Sequence, residues 1–310
     1  MTPGAPWLDP ARCRRALDAQ DCRWGEPLVA VPTTTSTNDL ALAAEREGAP
    51  EGATYVAREQ TRGRGRRGNP WWAAAGDNLT FSVLLRPQVP AAQAHALPLI
   101  VGLAVREMVS RRLGVSLHVP PVLLKWPNDV WVGSRKIAGV LVESRLRGDQ
   151  VSAAIVGIGL NVHTLVFPED LLGQATSLAR ELRPRRASSR APVGPREVPR
   201  GADLETDRRT SPEPDDTPAL LPLAEFLAFE DLLAELLGRL QARYERFLRD
   251  GLESFLPELS EADALRGRAV RIDELEGIAA GITGEGALRL CDLSGQEHAI
   301  HAGHVTLLDR

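Results

Sequence analysis

Three runs rich in β-branched residues, separated only by turn residues, constrain the fold of this 310-residue chain most strongly. The runs are VLLKW, AGVLVES and VSAAIVGIGLNV, and the turns include Pro127-Asn128-Asp129 and Arg147-Gly148-Asp149. Connections this short join antiparallel strands, because parallel strands need a crossover of about a dozen residues or more. Helical patterns interrupt the strands without a regular βαβ repeat. The sequence therefore predicts an α+β fold with a mixed, largely antiparallel sheet flanked by helices.

The helical segments are recognised by their spacing and their starts. Ser36-Thr37 precedes NDLALAAERE, and hydroxyl side chains accept hydrogen bonds from the free amides of a helix start. Apolar residues recur at helical spacing in Leu97–Leu113, with Pro98 in the first turn, where no amide partner is needed. Residues 223–247 predict one amphipathic helix or a pair of helices.

Changes in composition divide the chain. Residues 183–218 are rich in proline and charge and have no aromatic residue, so we expect a disordered insertion. From about Leu265, short strand-like runs alternate with glycine and charged turns, which is typical of a small β-barrel. We therefore predict a larger domain over residues 1–262, which includes the insertion, and a small β-domain over 263–310.

Composition excludes several protein classes. The chain has 37 basic and 41 acidic residues and is 43% hydrophobic, so it can bury a core. It contains no apolar run of about 18 residues and no recognisable secretion signal. Its three cysteines are scattered, without metal-ligand or redox spacing. We expect a reduced, cytoplasmic protein with no membrane partner.

The scarcity of lysine is informative. The chain has 35 arginines but only two lysines, Lys125 and Lys136, which lie eleven residues apart. Lysine is a compact charge on a flexible stem, whereas arginine is a broad planar fork. Two lysines retained so close together indicate sites where the fork does not fit. The alternative is that they are ordinary surface cations of an isolated hairpin.

The segment TRGRGRRGNPWW places arginines between glycines. Glycine lets the backbone approach a ligand closely, and neighbouring arginines can contact one anion. A solvated loop or an arginine-glycine segment that binds nucleic acid are the alternatives. Trp71 and Trp72 argue against a purely solvated loop, since tryptophan is usually packed or stacked. The net charge of −4 argues against nucleic-acid binding, so a small anion is favoured.

The polar residues of these segments favour one kind of chemistry. No Ser/His/Asp set, metal-ligand cluster or P-loop is recognisable in the sequence. Arginine, lysine, asparagine and glycine are the residues that hold a nucleotide's phosphates beside a carboxylate. Activation of a carboxylate by ATP depends mainly on positioning and on neutralising the repulsion between two anions, usually with Mg²⁺.

Five motifs in this order resemble those of the biotin–protein ligases, the biotin–acetyl-CoA-carboxylase ligases. They are STND (Ser36–Asp39), QTRGRGRRG (Gln60–Gly68), KWPND (Lys125–Asp129), RKIAGVLVE (Arg135–Glu143) and GIGLN (Gly157–Asn161). The resemblance implies a catalytic domain like that of class II synthetases and an SH3-like C-terminal barrel. It also implies formation of biotinyl-5′-AMP from biotin and ATP, and then transfer of biotin to a lysine of a biotin carboxyl carrier domain.

The resemblance also implies roles for individual residues. Lys136 and Arg66 would be catalytic, Asp129 would be a candidate Mg²⁺ ligand, and Trp71 would pack on adenine. The expected biotin-binding residues are Ser36, Thr37, Asn38, Gln60, Gly63, Arg64, Gly65, Arg66, Lys136 and Gly139. The expected ATP-binding residues are Arg66, Trp71, Lys125, Asn128, Asp129, Lys136 and Asn161.

Two other functions are considered, and a DNA-binding module is expected to be absent. A lipoate–protein ligase would share the scaffold and the adenylation step, and a noncatalytic nucleic-acid-binding protein would use the arginine-glycine loop. Some biotin–protein ligases carry an N-terminal DNA-binding module, but only about 35 residues precede Ser36. We therefore expect no DNA partner, and a protein that is a monomer or a homodimer.

Overall fold

The computed structural model of the protein describes residues 7–114, 120–183 and 223–308. Apart from Arg183, the expected disordered insertion lies outside these residues. The helices are α1 (Pro10–Asp18), α2 (Thr37–Arg46), α3 (Leu97–Leu113), α4 (Leu178–Leu182), α5 (Leu223–Phe226), α6 (Phe229–Asp250) and α7 (Leu256–Ala262). The strands are β1 (Leu28–Thr34), β2 (Thr54–Gln60), β3 (Asn78–Leu85), β4 (Val89–Pro90), β5 (Val122–Lys125), β6 (Asp129–Val132), β7 (Arg135–Arg147), β8 (Gln150–Asn161), β9 (Ala269–Ile272), β10 (Leu275–Ile282), β11 (Leu288–Asp292), β12 (Glu297–Ile300) and β13 (Val305–Leu307).

The larger sheet has the predicted mixed, largely antiparallel character. Its strand order is β1-β2-β3-β8-β7-β6-β5, with β4 paired to β8. Only β1 and β2 run parallel among its described strands, and α2 connects them. The remaining pairs are antiparallel, and the meander from β5 to β8 is joined by the short turns that the sequence indicates. The α+β prediction is confirmed.

Helices cover both faces of this sheet. All eight residues of β3 are buried, including the polar Asn78, Thr80 and Ser82, which alternate with apolar residues in its first half. Phe81 and Val83 belong to the main apolar core together with residues of α3 and α6. Leu84, on the opposite face, packs in a smaller cluster with Ala41 of α2. The start of α2 is thereby held against the centre of the sheet.

The five C-terminal strands form a second sheet in the order β12-β11-β10-β9-β13. Apolar residues of this sheet, such as Val270 and Leu290, belong to the same buried cluster as the main core. A polar link adds to this packing: the indole N–H of the buried Trp126 donates to the carbonyl of Gly286 over 3.0 Å. The small sheet is therefore packed beside the KWPND turn, while the boundary at residue 262 stays a prediction.

Candidate active site

The KWPND turn is fixed by backbone and amide hydrogen bonds. It begins where β5 ends, at Lys125, and leads into β6 at Asp129. The side-chain amide of Asn128 donates to the carbonyl of Val140 over 2.8 Å, and the amide of Val140 donates to the carbonyl of Asn128 over 2.9 Å. Asn128 therefore ties the turn to β7, which carries Lys136.

The two lysines are brought together as the hairpin predicts. The Lys136 ammonium lies 2.7 Å from a carboxylate oxygen of Asp129 and 5.4 Å from the ring centroid of Trp71. The Lys125 ammonium lies 4.9 Å from the ring centroid of Trp131. Burial lowers the pKa of Lys125, and Lys136 lowers it further, although Asp129 acts in the opposite direction. Two ammonium groups beside one carboxylate make this region attractive to an anion.

The arginine-glycine loop folds back on itself. The amide of Gly65 donates to the carbonyl of Asn69 over 2.7 Å, and the amide of Trp71 donates to the carbonyl of Gly63 over 2.9 Å. A Cβ at Gly63 would lie only 2.6 Å from the carbonyl oxygen of Trp71, so this close approach requires glycine. The loop is a compact turn rather than an extended arm.

The arginines of this loop differ in their surroundings. The Arg67 guanidinium pairs with Asp273 of the small sheet over 3.0 Å. Arg66 has no carboxylate within 4 Å among the residues that the structure describes. Burial and the neighbouring charge of Arg67 lower the pKa of Arg66, while Asp129 raises it. Arg66 is therefore a partly desolvated cation available to an anionic ligand.

A polar cluster forms around the start of α2. Ser36 caps the helix, with its hydroxyl accepting from the amide of Asn38 over 3.3 Å. The side-chain carbonyl of Gln60, at the end of β2, accepts from the amide of Thr37 over 2.7 Å. Ser36, Thr37 and Asn38 are each only 3% exposed. The cluster can therefore offer matched hydrogen-bond partners to a polar group of a ligand.

Two adjoining cavities, of about 210 and 500 Å³, connect these features. The smaller cavity is lined by the predicted residues Ser36, Thr37, Asn38, Gln60, Arg64, Gly65, Arg66, Asn128 and Gly139. Both cavities are lined by the predicted residues Trp71, Lys125, Asp129 and Lys136. Asn161 lines only the larger one, where its amide N–H donates to the carbonyl of Thr176 over 3.0 Å. Gly63 lines neither, and its place is in the turn of the loop.

Several cavity residues were not singled out from the sequence. Trp131 lines the larger cavity, and residues 303–305, which precede and begin β13, line the smaller one. Gly157 and Gly159 belong to the GIGLN motif but were assigned to no pocket from the sequence, and both line the smaller cavity. The side chains of Asn38 and Trp71 occupy the space where their Cβ atoms would lie. The alternation places both glycines on one face of a strand, and this spacing is the signal that could have assigned them.

The described residues contain neither a recognisable metal-binding cluster nor a membrane-spanning helix. Within residues 7–114, 120–183 and 223–308, no group of three or more His, Cys, Asp or Glu side chains is arranged to hold a metal ion. In the same part of the chain, no helix combines the length and apolarity that crossing a membrane requires.

Comparisons with known proteins identify sequences similar to this chain. Residues 30–161 match the model of the Biotin/lipoate A/B protein ligase family. The chain is 34% identical over 157 residues to the bifunctional ligase/repressor BirA of Bacillus subtilis, a match that covers 50% of this chain and 47% of the relative. It is 40% identical over 129 residues to the biotin–[acetyl-CoA-carboxylase] ligase of Paracoccus denitrificans, covering 42% and 52%. The matches thus span about half the length of these relatives.

The fold also matches that of a solved structure. The biotin protein ligase from Aquifex aeolicus, in complex with biotin and ATP, superposes with a TM-score of 0.62. The match covers 90% of this chain and 97% of that one, at 23% sequence identity. The larger sheet and the small C-terminal sheet therefore together follow a known architecture.

Proposed function

We propose, from the premise that residues 30–161 form a domain of the biotin/lipoate A/B protein ligase family, that this protein is an ATP-dependent biotin–protein ligase. One observation carries the proposal: Lys136 lines both cavities, beside the polar cluster of α2 on one side and Trp71 and Asn161 on the other. A cation at the junction of an acid pocket and a nucleotide pocket is what carboxylate adenylation requires.

The smaller cavity is the proposed biotin site. Hydroxyl and amide groups of Ser36, Thr37 and Gln60 would meet the ureido ring, whose N–H and C=O groups need partners when buried. The biotin carboxylate would then lie near Arg66 and Lys136. Lipoate has no ureido group, so a pocket that ends in this cluster would leave polar atoms unpaired with lipoate, which disfavours that acid.

The larger cavity is the proposed nucleotide site. Its aromatic side chains include Trp71 and Trp131, and the carbonyl oxygen of the Asn161 side chain is buried there without a hydrogen-bond partner among the described residues. An adenine base offers the stacking surface and the amino donor that these groups lack. Lys125 and Lys136 would face the phosphates.

The reaction follows from this arrangement. A carboxylate oxygen of biotin attacks the α-phosphorus of ATP, the bond from phosphorus to the bridging oxygen breaks, and pyrophosphate leaves. Lys136 and Arg66 would stabilise the charge that develops on the α-phosphate. A carrier lysine amine then attacks the acyl carbon, AMP leaves, and the amine loses a proton.

A magnesium ion would act through the nucleotide. Mg²⁺ is commonly held by one or two carboxylates together with substrate phosphates. Asp129 supplies one carboxylate that lines both cavities, which fits that pattern. The ion would neutralise phosphate charge when it is bound, and Asp129 would hold it.

The contacts of the loop also bear on the nucleic-acid alternative. Arg64 pairs with Asp39 and Glu143, and Arg67 pairs with Asp273. Because carboxylates of the same chain balance the charge of these arginines, the loop adds little to the long-range attraction of a phosphate backbone. Duplex DNA should therefore bind weakly, and any binding should vary steeply with salt.

The test is a mass measurement on a carrier. The purified protein is incubated with biotin, ATP, Mg²⁺ and a biotin carboxyl carrier domain, and we expect one biotinyl group on one lysine. Omission of ATP should abolish the gain, and lipoate should not replace biotin. Transfer of lipoate instead would favour the related ligase, and no modification with either acid would overturn the proposal.

A further inference from the structure

A continuous set of hydrogen bonds joins the polar cluster of α2 to the arginine-glycine loop. The hydroxyl of Ser82, on β3, lies 2.7 Å from the Thr37 hydroxyl and 2.6 Å from the side-chain carbonyl of Asn38. The side-chain amide N–H of Asn38 donates to a carboxylate oxygen of Glu143, on β7, over 2.6 Å. That same oxygen accepts from the Arg64 guanidinium over 2.8 Å.

The donors and acceptors of this set fix its direction. The carbonyl of Asn38 can only accept, so the single proton of Ser82 is used there. The single proton of Thr37 then faces two acceptors, the Ser82 hydroxyl at 2.7 Å and the side-chain carbonyl of Gln60 at 3.2 Å. The Asn38 amide is thus held at both ends by protein groups. Gly157 makes room for it, because a Cβ at that position would lie 2.2 Å from the Asn38 carbonyl oxygen. Asn38 is therefore a supporting residue of the pocket rather than a free ligand donor.

Glu143 is the point at which this set meets the loop. The terminal nitrogen Nη2 of Arg64 lies 2.8 Å from Glu143 and 2.9 Å from Asp39. Both contacts use the same nitrogen, so the Nε and Nη1 donors of Arg64 remain without a protein partner in the described part of the chain. Arg64 lines the smaller cavity, so these remaining donors are available to an anion there.

We propose that Glu143 is a positioning residue for the reaction: it orients Asn38 beneath the biotin pocket and holds Arg64 of the loop at the edge of that pocket. The inference rests on the proposed function and deepens it. Glu143 does not touch the reacting atoms. It connects recognition of the ureido ring, through Thr37, Ser82 and Asn38, with the guanidinium that faces the carboxylate and phosphate.

The first measurement needs no ligand. Amide hydrogen exchange of residues 62–71 is compared in the unliganded wild type and in Glu143→Gln, which keeps the size of the side chain but removes its charge. Loss of a charge-assisted hydrogen bond should speed exchange of the loop about tenfold. Loop exchange equal to that of the wild type would overturn the proposal.

A matched control comes from the same helix and strand. Glu45 of α2 pairs with Arg145 of β7 over 2.8 Å, and neither residue lines the two cavities. Glu45→Gln removes an ion pair between the same elements, so it should leave loop exchange unchanged. Equal acceleration in both variants would show that Glu143 has only a general structural role, and would overturn the proposal.

The second measurement concerns ligand binding. Calorimetry should show biotin binding about tenfold weaker in Glu143→Gln, and Arg64→Gln combined with Glu143→Gln should weaken it by less than the product of the single effects. Fully multiplicative effects would contradict the coupling. Failure of the wild type to bind biotin would instead contradict the proposed function. The exchange measurement would still decide whether Glu143 holds the loop.

Discussion

The indole ring of Trp71 occupies the space that Gly159 leaves open on β8. A Cβ at position 159 would lie 2.3 Å from ring atom Cε2, and one at Gly139 of the neighbouring strand would lie 3.1 Å from Cζ3. Gly139 and Gly159 are directly paired across β7 and β8. Two glycines that pair across strands thus leave a flat surface on which the aromatic ring packs between the two cavities.

Gly159→Ala should therefore displace Trp71 and weaken nucleotide binding. The added methyl group would lie 2.3–2.6 Å from ring atoms of Trp71, so the ring must move from its position. We therefore expect at least a tenfold loss of affinity for a nonhydrolysable ATP analogue, measured by calorimetry, and an overpacking cost of about 1–3 kcal/mol. Gly238→Ala on α6 is the control, because the nearest atom to its Cβ, at 3.2 Å, is the end of the flexible side chain of Gln20. Unchanged binding of the analogue in Gly159→Ala would contradict the claim that Gly159 positions Trp71 for the nucleotide.

Lys136→Arg tests the need for a compact cation. Lys136 is confined by Asp129 at 2.7 Å and packs beside Gly139, so a planar guanidinium cannot occupy the same position. The rate of adenylate formation, measured by pyrophosphate exchange into ATP, should fall about 10²–10³-fold. This is the usual effect of losing one group that stabilises charge in a transition state. The thermal unfolding midpoint should change little. Turnover close to that of the wild type would remove Lys136 from its proposed role.

Arg66→Gly tests whether the loop retains the intermediate. Loss of the partly desolvated guanidinium should loosen the loop and let biotinyl-AMP escape into solution. Albumin added as a bystander should then become biotinylated on several lysines, as detected by streptavidin blotting. Arg62→Gly is the control, since Arg62 belongs to the same loop but lines neither cavity. Bystander labelling no greater than that of the control would contradict retention.

Much of the fold follows from local sequence. Leu97–Leu113 forms α3 as its spacing predicts, Ser36 caps α2, and the KWPND turn joins β5 to β6. These features depend on periodicity and turn chemistry within a few residues, which a single sequence displays directly. The proximity of Lys125 and Lys136 follows from the same hairpin.

Other parts of the site depend on register between distant strands. Glu143 meets Asn38 only because α2 packs on β3 and β8, next to β7, at a sequence separation of 105 residues. Likewise, Arg67 finds Asp273 only because the small sheet packs beside the loop. Neither the residue type nor its spacing in the chain indicates these partners, so the sequence alone could not assign Glu143 or Asp273 a role.

Acid should destabilise the protein partly through Glu258. Burial acts to raise its pKa, but ion pairs with Arg243 and Arg246, at 2.7 and 2.8 Å, lower the pKa overall. A carboxylate whose pKa is lower in the folded state contributes stability above its unfolded pKa, and this stability is lost as pH falls through the folded value. The free energy of unfolding from urea titrations should fall less between about pH 5 and pH 3 in Glu258→Gln than in the wild type. Equal falls would contradict the assignment.

The three cysteines should differ in reactivity. Burial raises the pKa of Cys13 to about 12 and also raises that of Cys22, and the two side chains are buried. Cys291 is only half-buried on β11. Only the thiolate is an effective nucleophile, so at about pH 8 one thiol per chain should react quickly with iodoacetamide. Cys291→Ser should abolish the fast reaction, and urea should expose the other two thiols. Rapid alkylation of Cys13 in the folded protein would show that α1 does not remain packed on α6.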